Sequence, residues 1–355
     1  MIHSNGPLAN TQSPEASTAT TPVLVAEGLR KFYGPREALR GLTFSLQTGR
    51  ILGFLGPNGA GKTTAIRILT TIMEPSAGHF SVDGISSQHP EQIRRRIGVL
   101  PENLGFPKQI TGLEYLTFFG QLYGQSRADA RAHALTLLEA VGLQQRAKSL
   151  IGTFSHGMRQ RLGIARALVN DPVVVFLDEP TLGLDPRGQR ELLSLVRRIA
   201  RERNAGVVLC SHALAEIESV CDDVVILSAG QVVAAGSVTE VIGRAQQADV
   251  QHNGVRVWVP AASLAAAQQR LEALPHVMET APVEGMEGWL RIELVDMASP
   301  ATNGRATNGD AGVDPRLTNQ MLGALIDAGI PILAFQTEGG RLQDAFLRLT
   351  EEVIR

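Results

Sequence analysis

The sequence predicts an α/β fold built on a mostly parallel sheet that is buried on both faces, followed by a smaller α+β domain. Short apolar runs rich in β-branched residues recur between segments with helical spacing. Runs that are apolar at every position are typical of strands covered by helices on both sides. The first run ends in a glycine-rich turn, and a helical pattern follows it. The four runs are RILGFLG (50–56), VVVFL (173–177), GVVLC (206–210) and VVILS (224–228).

Length and local composition predict three parts. The chain has 355 residues, 44% of them hydrophobic, which is enough for more than one core. Residues 1–21 are biased towards Ser, Thr, Pro and Ala and predict a disordered tail. Residues 22–243 predict the α/β domain, with a mostly helical subdomain inserted at about 103–170. Residues 244–355 predict an accessory domain in the order βαββαβ, as in ferredoxin-like folds. Within it, a polar insert at about 298–314 is expected to be a flexible loop.

Charge and composition argue against several functions. The net charge of −2 disfavours a broad nucleic-acid-binding surface, so we expect no nucleic acid partner. The two cysteines, Cys210 and Cys221, form no metal-ligand cluster and fit a reduced, cytosolic chain. No run approaches the ~18 apolar residues of a membrane helix. The N-terminus also lacks the apolar centre of a secretory signal. We therefore expect a soluble protein.

A glycine-rich loop between a predicted strand and a predicted helix fits the phosphate-binding pattern G-x-x-x-x-G-K-[ST]. Glycines let backbone N–H groups converge on phosphate oxygens, and the helix N-terminus adds positive potential. Lys62 is expected to reach the β- and γ-phosphates and assist catalysis, and Thr63 to ligate Mg²⁺. The alternative is a chance glycine-rich turn. The predicted ATP-binding residues here are Gly56, Pro57, Asn58, Gly59, Ala60, Gly61, Lys62, Thr63 and Thr64.

An acidic pair, Asp178 and Glu179, ends the VVVFL strand. Asp178 suits the metal ion, and Glu179 suits a base that orients or deprotonates the attacking water. His212 follows the GVVLC strand, where an imidazole is placed to bond the γ-phosphate and that water. The alternatives are an ordinary acidic strand end and a histidine satisfied by its neighbours. The first alternative is disfavoured by the Lys62 loop and the second by the position of His212 after the next strand of the sheet, so we predict Glu179, His212 and Lys62 as catalytic residues.

The order of these motifs resembles the ATP-binding cassette (ABC) family over roughly residues 23–241. The resemblance implies a P-loop NTPase fold with a β-subdomain and an inserted helical subdomain. It also implies that Tyr33, in RKFYGP, stacks on adenine, unless Tyr33 or Phe32 only covers the β-core. Glu102, in IGVLPEN, stands where the family has a glutamine. Its carboxylate is a possible Mg²⁺ ligand and adds negative charge near the phosphates; alternatively it is a plain surface residue.

The stretch FSHGMRQRL (154–162), called here the signature segment, resembles the family motif that contacts the nucleotide of the partner subunit. Ser155 and Gly157 are retained, whereas His156 replaces a glycine and Met158 a glutamine. The backbone N–H of His156 is expected to survive the substitution, because a helix start allows the negative φ that it needs. The imidazole is a candidate for a further phosphate donor, and Met158 loses one polar contact. We interpret the segment as altered but working, against the alternative of an ordinary helix. Asp185, in TLGLDP, resembles a residue that reaches across the dimer; alternatively TLGLDP is only a turn.

The resemblance implies an ATP-hydrolysing subunit that binds MgATP between two copies of itself and drives a separate membrane permease. LQDAFLRLTEE near the C-terminus and IGVLPEN favour exporters of the ABC-2 type. The protein is then expected in the cytoplasm, peripheral on the inner face of the cell membrane. An importer ATPase remains an alternative.

Two further classes remain as alternatives. One is a soluble ABC ATPase that acts on ribosomes or nucleic acid. Its members usually have two cassettes or long coiled coils, and this chain shows neither. The other is a non-hydrolysing regulator, suggested by His156, Met158 and Glu102 but disfavoured by the presence of Glu179 and His212.

Overall fold

The structure is a computed structural model that describes residues 21–247, 254–283, 286–294, 315–337, 342 and 346. The tail predicted at 1–21, apart from its last residue, and the insert predicted at 298–314 lie outside these residues. Most of the helical pattern at 342–355 does so as well. The predicted limits of the domains and of the helical subdomain therefore stay predictions.

The described residues form strands and helices with the following bounds. In chain order the strands are β1 (Leu24–Tyr33), β2 (Arg36–Leu46), β3 (Ile51–Leu55), β4 (Ala77–Val82), β5 (Ile85–Ser86), β6 (Ile97–Leu100), β7 (Val174–Asp178), β8 (Gly206–Cys210), β9 (Asp223–Ser228), β10 (Gln231–Ser237), β11 (Gly254–Trp258), β12 (Val277–Pro282), β13 (Trp289–Leu294) and β14 (Ala334–Thr337). The helices are α1 (Lys62–Leu69), α2 (Pro90–Arg94), α3 (Gly112–Leu122), α4 (Arg127–Ala140), α5 (His156–Ala167), α6 (Pro186–Glu202), α7 (Leu214–Val220), α8 (Val238–Gln247), α9 (Leu264–Glu272) and α10 (Pro315–Asp327).

The predicted α/β core is confirmed as a six-stranded sheet in the order β10-β9-β3-β8-β7-β6. Strands β9, β3, β8, β7 and β6 are parallel, and β10 pairs antiparallel with β9 at one edge. Both faces of the sheet are covered, because Val175 and Leu177 of β7 lie in one apolar cluster and Val174 and Phe176 lie in another. This explains why the strand sequences are apolar at every position.

A second sheet, in the order β2-β1-β4-β5, confirms the β-rich start that the sequence indicates. Its neighbouring strands are antiparallel, and β4 and β5 were missed by the sequence prediction. Gly78 explains why β4 is hard to predict from the sequence. Gly78 has φ +81°, and a Cβ there would lie 2.3 Å from the carbonyl oxygen of Gly28. Only glycine tolerates this contact, and glycine is not a strand former.

The mostly helical pattern after Gly112 corresponds to α3, α4 and α5. Helix α3 begins with a capping box: the N–H of Glu114 donates to Thr111 Oγ1 at 3.1 Å, and the N–H of Thr111 donates to Glu114 Oε2 at 2.8 Å. The apolar sides of the three helices join one of the two large clusters, through residues such as Leu116, Leu137 and Leu162. The strong cap and this burial fix the segment as helix.

The third sheet lies in the C-terminal part and has the order β12-β13-β11-β14, with antiparallel neighbours. With α9 between β11 and β12 and α10 between β13 and β14, this is the βαββαβ arrangement that the sequence predicts. Its apolar cluster includes Val255, Val257, Leu271, Ile292 and Leu325. Among the described residues, no helix is both long enough and apolar enough to cross a membrane.

Candidate nucleotide site

The glycine-rich loop lies between the end of β3 and the start of α1, as the sequence predicts. Gly56, Gly59 and Gly61 have φ values of +157°, +80° and +107°. At Gly61 a Cβ would lie 2.8 Å from the carbonyl oxygen of Ala38, so a side chain there would push the loop off β2. The N–H of Ala65 donates to the carbonyl of Gly61 at 2.9 Å. The backbone N–H groups just before it lack partners within α1 and are available to an anion.

Lys62 is the first residue of α1, and its ammonium lies over the loop. Lys62 Nζ donates to the carbonyl oxygens of Gly56 at 2.5 Å and of Pro57 at 3.2 Å. These are neutral acceptors, and a phosphate oxygen is a stronger one for an ammonium group. The geometry therefore keeps a cation beside the convergent N–H groups, ready to bind an anion.

The loop borders a cleft of about 560 Å³ that gathers most of the predicted site. Residues of the phosphate loop lie on one side and the acidic strand end lies on the other. The predicted residues that line the cleft are Tyr33, Asn58, Gly59, Ala60, Gly61, Lys62, Thr63, Thr64, Glu102, Asp178, Glu179 and His212. Arg36, Ala38 and Leu182 also line it and were missed.

Tyr33 stands at the rim of this cleft, at the end of β1. It is 44% exposed, so part of the ring is accessible to a ligand in the cleft. The neighbouring Arg36 is its partner across the β1–β2 ladder. The sequence signal for Arg36 was its position in the hairpin RKFYGPR, three residues after the tyrosine.

Negative charge is concentrated at the other side of the cleft. Asp178 ends β7, and its pKa is raised, first because it is partly buried and then because of the nearby charges of Glu102 and Glu179. The positive charge of Lys62 lowers the pKa of Asp178. Raised carboxylate pKa values in a cleft mark sites that a cation would stabilise. Glu102 also lines a second cleft, of about 400 Å³, together with His156 and Arg159.

Asp178→Asn should raise the melting temperature of the nucleotide-free protein near neutral pH. A carboxyl group whose pKa is raised by folding stabilises the fold while it is protonated, and this contribution is lost as the pH rises through the folded pKa. The ionised Asp178 therefore costs stability at pH 7, and asparagine removes that cost. Thermal unfolding at pH 7 and at about pH 4 measures the melting temperature of both proteins. The increase caused by Asp178→Asn should be smaller at the lower pH. A lower melting temperature at pH 7 would contradict the charge argument.

Glu179 and His212 form a hydrogen-bonded pair at the carboxyl ends of adjacent strands. Glu179 Oε2 lies 2.9 Å from His212 Nδ1, so Nδ1 carries the hydrogen and donates it to the carboxylate. The Glu179 side chain is 16% exposed and that of His212 63% exposed. Glu179 also has φ +47°, a left-handed conformation that non-glycine residues rarely adopt. Its N–H donates to the carbonyl of Cys210 at 3.0 Å, and this contact holds the turn against β8.

A buried carboxylate that the sequence analysis missed joins the turns after β7 and β8. Glu216 Oε2 accepts hydrogen bonds from Thr181 Oγ1 at 2.7 Å and from Ser211 Oγ at 2.8 Å, and all three residues are buried. A buried carboxylate with two hydroxyl donors fixes both backbones around it. The available signal was the acidic residue four positions after His212, in CSHALAE.

The signature segment lies outside the cleft that Lys62 lines. Ser155 caps α5, with its Oγ accepting the N–H of Met158 at 3.3 Å, and Ser155 and His156 are exposed. Gly157 lies close to Leu184, where a Cβ would be 3.4 Å from the leucine side chain. Met158 packs against the large apolar cluster. Asp185 caps α6, and its Oδ1 accepts a hydrogen bond from the N–H of Gly188 at 3.1 Å.

Comparisons with known proteins place similar sequences in one family. A family model described as ABC transporter matches residues 39–182. The chain is 35% identical to the linearmycin resistance ATP-binding protein LnrL of Bacillus subtilis (strain 168), covering 62% of this chain and 71% of the relative. It is 41% identical to the bacitracin transport ATP-binding protein BcrA of Bacillus licheniformis, covering 59% and 68%.

Solved structures share the fold of the cassette. The structure of an ATP-binding subunit of an ABC transporter is 33% identical, with a TM-score of 0.57, over 62% of this chain and 92% of that one. The cassette MJ0796, solved as a dimer bound to ADP and Pi, is 24% identical with a TM-score of 0.55, over 60% and 98%. The phosphate loop, the acidic strand end and these similarities lead to one conclusion: the chain belongs to the family of ABC transporter ATP-binding proteins.

Proposed function

We propose that this chain hydrolyses ATP as the engine of a two-component exporter and works as a dimer beneath a separate membrane permease of the ABC-2 type. The observation that carries the proposal is the single cleft in which Lys62 faces Asp178, Glu179 and His212. A cation over a phosphate-binding loop and a carboxylate–imidazole pair opposite it are what phosphoryl transfer to water requires.

Within this cleft the residues divide by chemistry. Backbone N–H groups of the loop and the Lys62 ammonium bind the phosphates, and Tyr33 stacks on adenine, an interaction worth about 1–3 kcal/mol per base. Glu179 takes the proton of the attacking water or orients it. His212, with Nδ1 engaged by Glu179 at 2.9 Å, has Nε2 left to face the γ-phosphate and that water. Holding water, base and phosphate in one place lowers the barrier by proximity and by electrostatic stabilisation.

The acidic side of the cleft fits Mg²⁺. In the part of the chain that the structure describes, no group of three His, Cys, Asp or Glu residues could hold a metal ion by itself. Mg²⁺ usually shares its coordination between one or two protein oxygens and substrate phosphates, and Thr63 and Asp178 supply such oxygens. Glu102 is a third candidate, since its charge already acts on Asp178. When bound, the ion neutralises charge on the phosphates.

The signature segment acts on the ATP of the partner subunit. Ser155, His156 and Gly157 lie at the N-terminus of α5 and outside the cleft of their own subunit. Their exposed hydroxyl and backbone N–H groups form an anion-binding helix start that needs a second copy to supply the phosphate. Asp185, at the start of α6, takes part in the same interface.

Ser155→Arg should abolish the ATP-dependent dimer and leave nucleotide binding by the monomer in place. A long cation at the helix start would occupy the space that the γ-phosphate of the partner's ATP needs. Ser126→Arg is a matched control, because Ser126 caps α4 in the same way, accepting the N–H of Asp129 at 3.2 Å. Gel filtration with and without MgATP compares the two variants. An unchanged dimer in Ser155→Arg would place the signature segment away from the interface.

The export role is supported by the relatives named for linearmycin resistance and bacitracin transport. To test this role, the purified chain is mixed with a candidate ABC-2 permease in detergent. The two should co-purify, and the permease should raise the rate of ATP turnover. Turnover that no permease changes would favour a soluble ABC ATPase. No turnover at all would favour a non-hydrolysing regulator. We place the working protein at the inner face of the cell membrane.

A further inference from the structure

His156, which stands where the family has a glycine, bonds to the turn that follows β7. Its Nε2 lies 2.8 Å from the carbonyl oxygen of Leu182. That turn, Thr181 to Pro186, is called here the D-loop, and it ends at the N-terminus of α6. The contact joins residues 26 positions apart in the chain, so it ties two separate segments together. It directs the imidazole to a neighbouring loop of its own subunit.

The donor in this contact is the imidazole. A backbone carbonyl only accepts hydrogen bonds, so Nε2 of His156 carries the hydrogen, in the neutral ring or in the cation. The neighbouring Gly183 lies beside the ring. It has φ +76°, and a Cβ built on it would lie 3.4 Å from His156 Nε2, at ordinary contact distance. A larger residue at position 183 would be strained in its backbone.

The D-loop is tied to the catalytic side of its own subunit as well. The N–H of Leu182 donates to the carbonyl of Glu179 at 3.2 Å, and Leu182 lines the nucleotide cleft. Thr181 is bound to the buried Glu216 at 2.7 Å. Leu182 is therefore held on both sides, because its N–H donates to the backbone carbonyl of Glu179 and its carbonyl accepts from His156 of the signature segment.

We infer that His156 is a positioning residue that couples the signature segment to the D-loop within one subunit. The inference rests on the proposed function, in which the signature segment binds the ATP of the partner. Movement of the α5 N-terminus on that ATP would be passed through the His156–Leu182 hydrogen bond to the turn beside Glu179. Binding at one nucleotide site thus sets the geometry of the other. A glycine at position 156 has no side chain to make this link.

The first test is hydrogen exchange of the nucleotide-free full chain, which needs no activity. His156→Ala removes the donor, and His156→Gln restores an N–H at a similar reach. We expect the D-loop amides to exchange about fivefold faster in His156→Ala, the size of one lost hydrogen bond, and near the original rate in His156→Gln. His79→Gln, on β4, is the control and should leave the D-loop unchanged. Equal D-loop exchange in His156→Ala and the unsubstituted chain would overturn the inference.

The second test is the turnover of MgATP by the same variants. We expect kcat to fall about fivefold in His156→Ala and to recover in His156→Gln, with KM for ATP within about twofold, because both variants keep the backbone N–H that contacts the partner's ATP and the side chain lies outside its own cleft. Faster exchange with an unchanged kcat would overturn the positioning role. So would a glutamine variant as slow as the alanine one. Absence of turnover in the unsubstituted chain would contradict the proposed function and the coupling with it, while exchange would still decide whether the bond forms.

Discussion

Lys62→Ala is expected to weaken MgATP binding by roughly a hundredfold or more. The ammonium is the cation of the phosphate loop, and its charge-assisted bonds to phosphate oxygens are each worth about 1.5–3 kcal/mol. Without it, the backbone N–H groups of the loop remain, so weak binding of nucleotide persists. Titration calorimetry with MgATP measures the difference.

The fold should tolerate this change. Among the described residues, the hydrogen bonds of Lys62 Nζ go to the carbonyls of Gly56 and Pro57, so the bonds that the substitution removes are confined to the loop itself. Lys148→Ala is a matched control, since Lys148 is an exposed lysine of the helical segment. Nucleotide affinity should be unchanged in Lys148→Ala. Near-normal affinity in Lys62→Ala would mean that the cleft does not bind phosphates through this loop.

The core of the fold could be predicted because its sequence signals are local. Strands β3, β7 and β8 are apolar at nearly every position, and a chain segment of that kind is stable only between two covering layers. The phosphate loop is equally readable, since its glycines are required by backbone geometry. At Gly56 a Cβ would lie 2.4 Å from the carbonyl oxygen of Leu227.

The parts that escaped prediction depend on contacts between distant segments. Strand β4 begins with Ala77, Gly78 and His79, a poor strand sequence that is held by pairing with β1. Glu216 reads as an ordinary acidic residue of a short helix, and its role follows only from the approach of Thr181 and Ser211. No periodicity or motif contains that information, because it arises from the order of strands in the sheet.

The signature segment also makes a contact that could not be predicted from the sequence. From the sequence, His156 is a departure from the family pattern and a further donor to phosphate. In the structure its imidazole bonds the carbonyl of Leu182, which the sequence does not place near α5. The cap that Ser155 forms at the start of α5 is a structural finding, and it depends only on local geometry.

Glu179→Gln is expected to slow ATP hydrolysis by about 10²–10⁴-fold while ATP binding persists. Glutamine keeps the shape of the side chain, and its amide oxygen still accepts the hydrogen of His212 Nδ1, now 2.9 Å from the carboxylate. It has no basicity, so the attacking water keeps its proton. Steady-state phosphate release measures the loss. Glu139→Gln, an exposed change on α4, should leave turnover as it is.

The Glu179→Gln variant also distinguishes ATP hydrolysis from dimer formation. If hydrolysis reopens the dimer, a chain that binds ATP without hydrolysing it should accumulate as a dimer, and light scattering should report twice the monomer mass with MgATP and the monomer without it. Adding Ser155→Arg to Glu179→Gln should return the protein to monomer, because the signature segment supplies the contact to the partner's phosphate. A double variant that still dimerises on ATP would show that the two copies meet elsewhere. A Glu179→Gln chain that binds ATP and stays monomeric would mean that closure needs the permease, a requirement that the same scattering measurement with a permease in detergent would reveal.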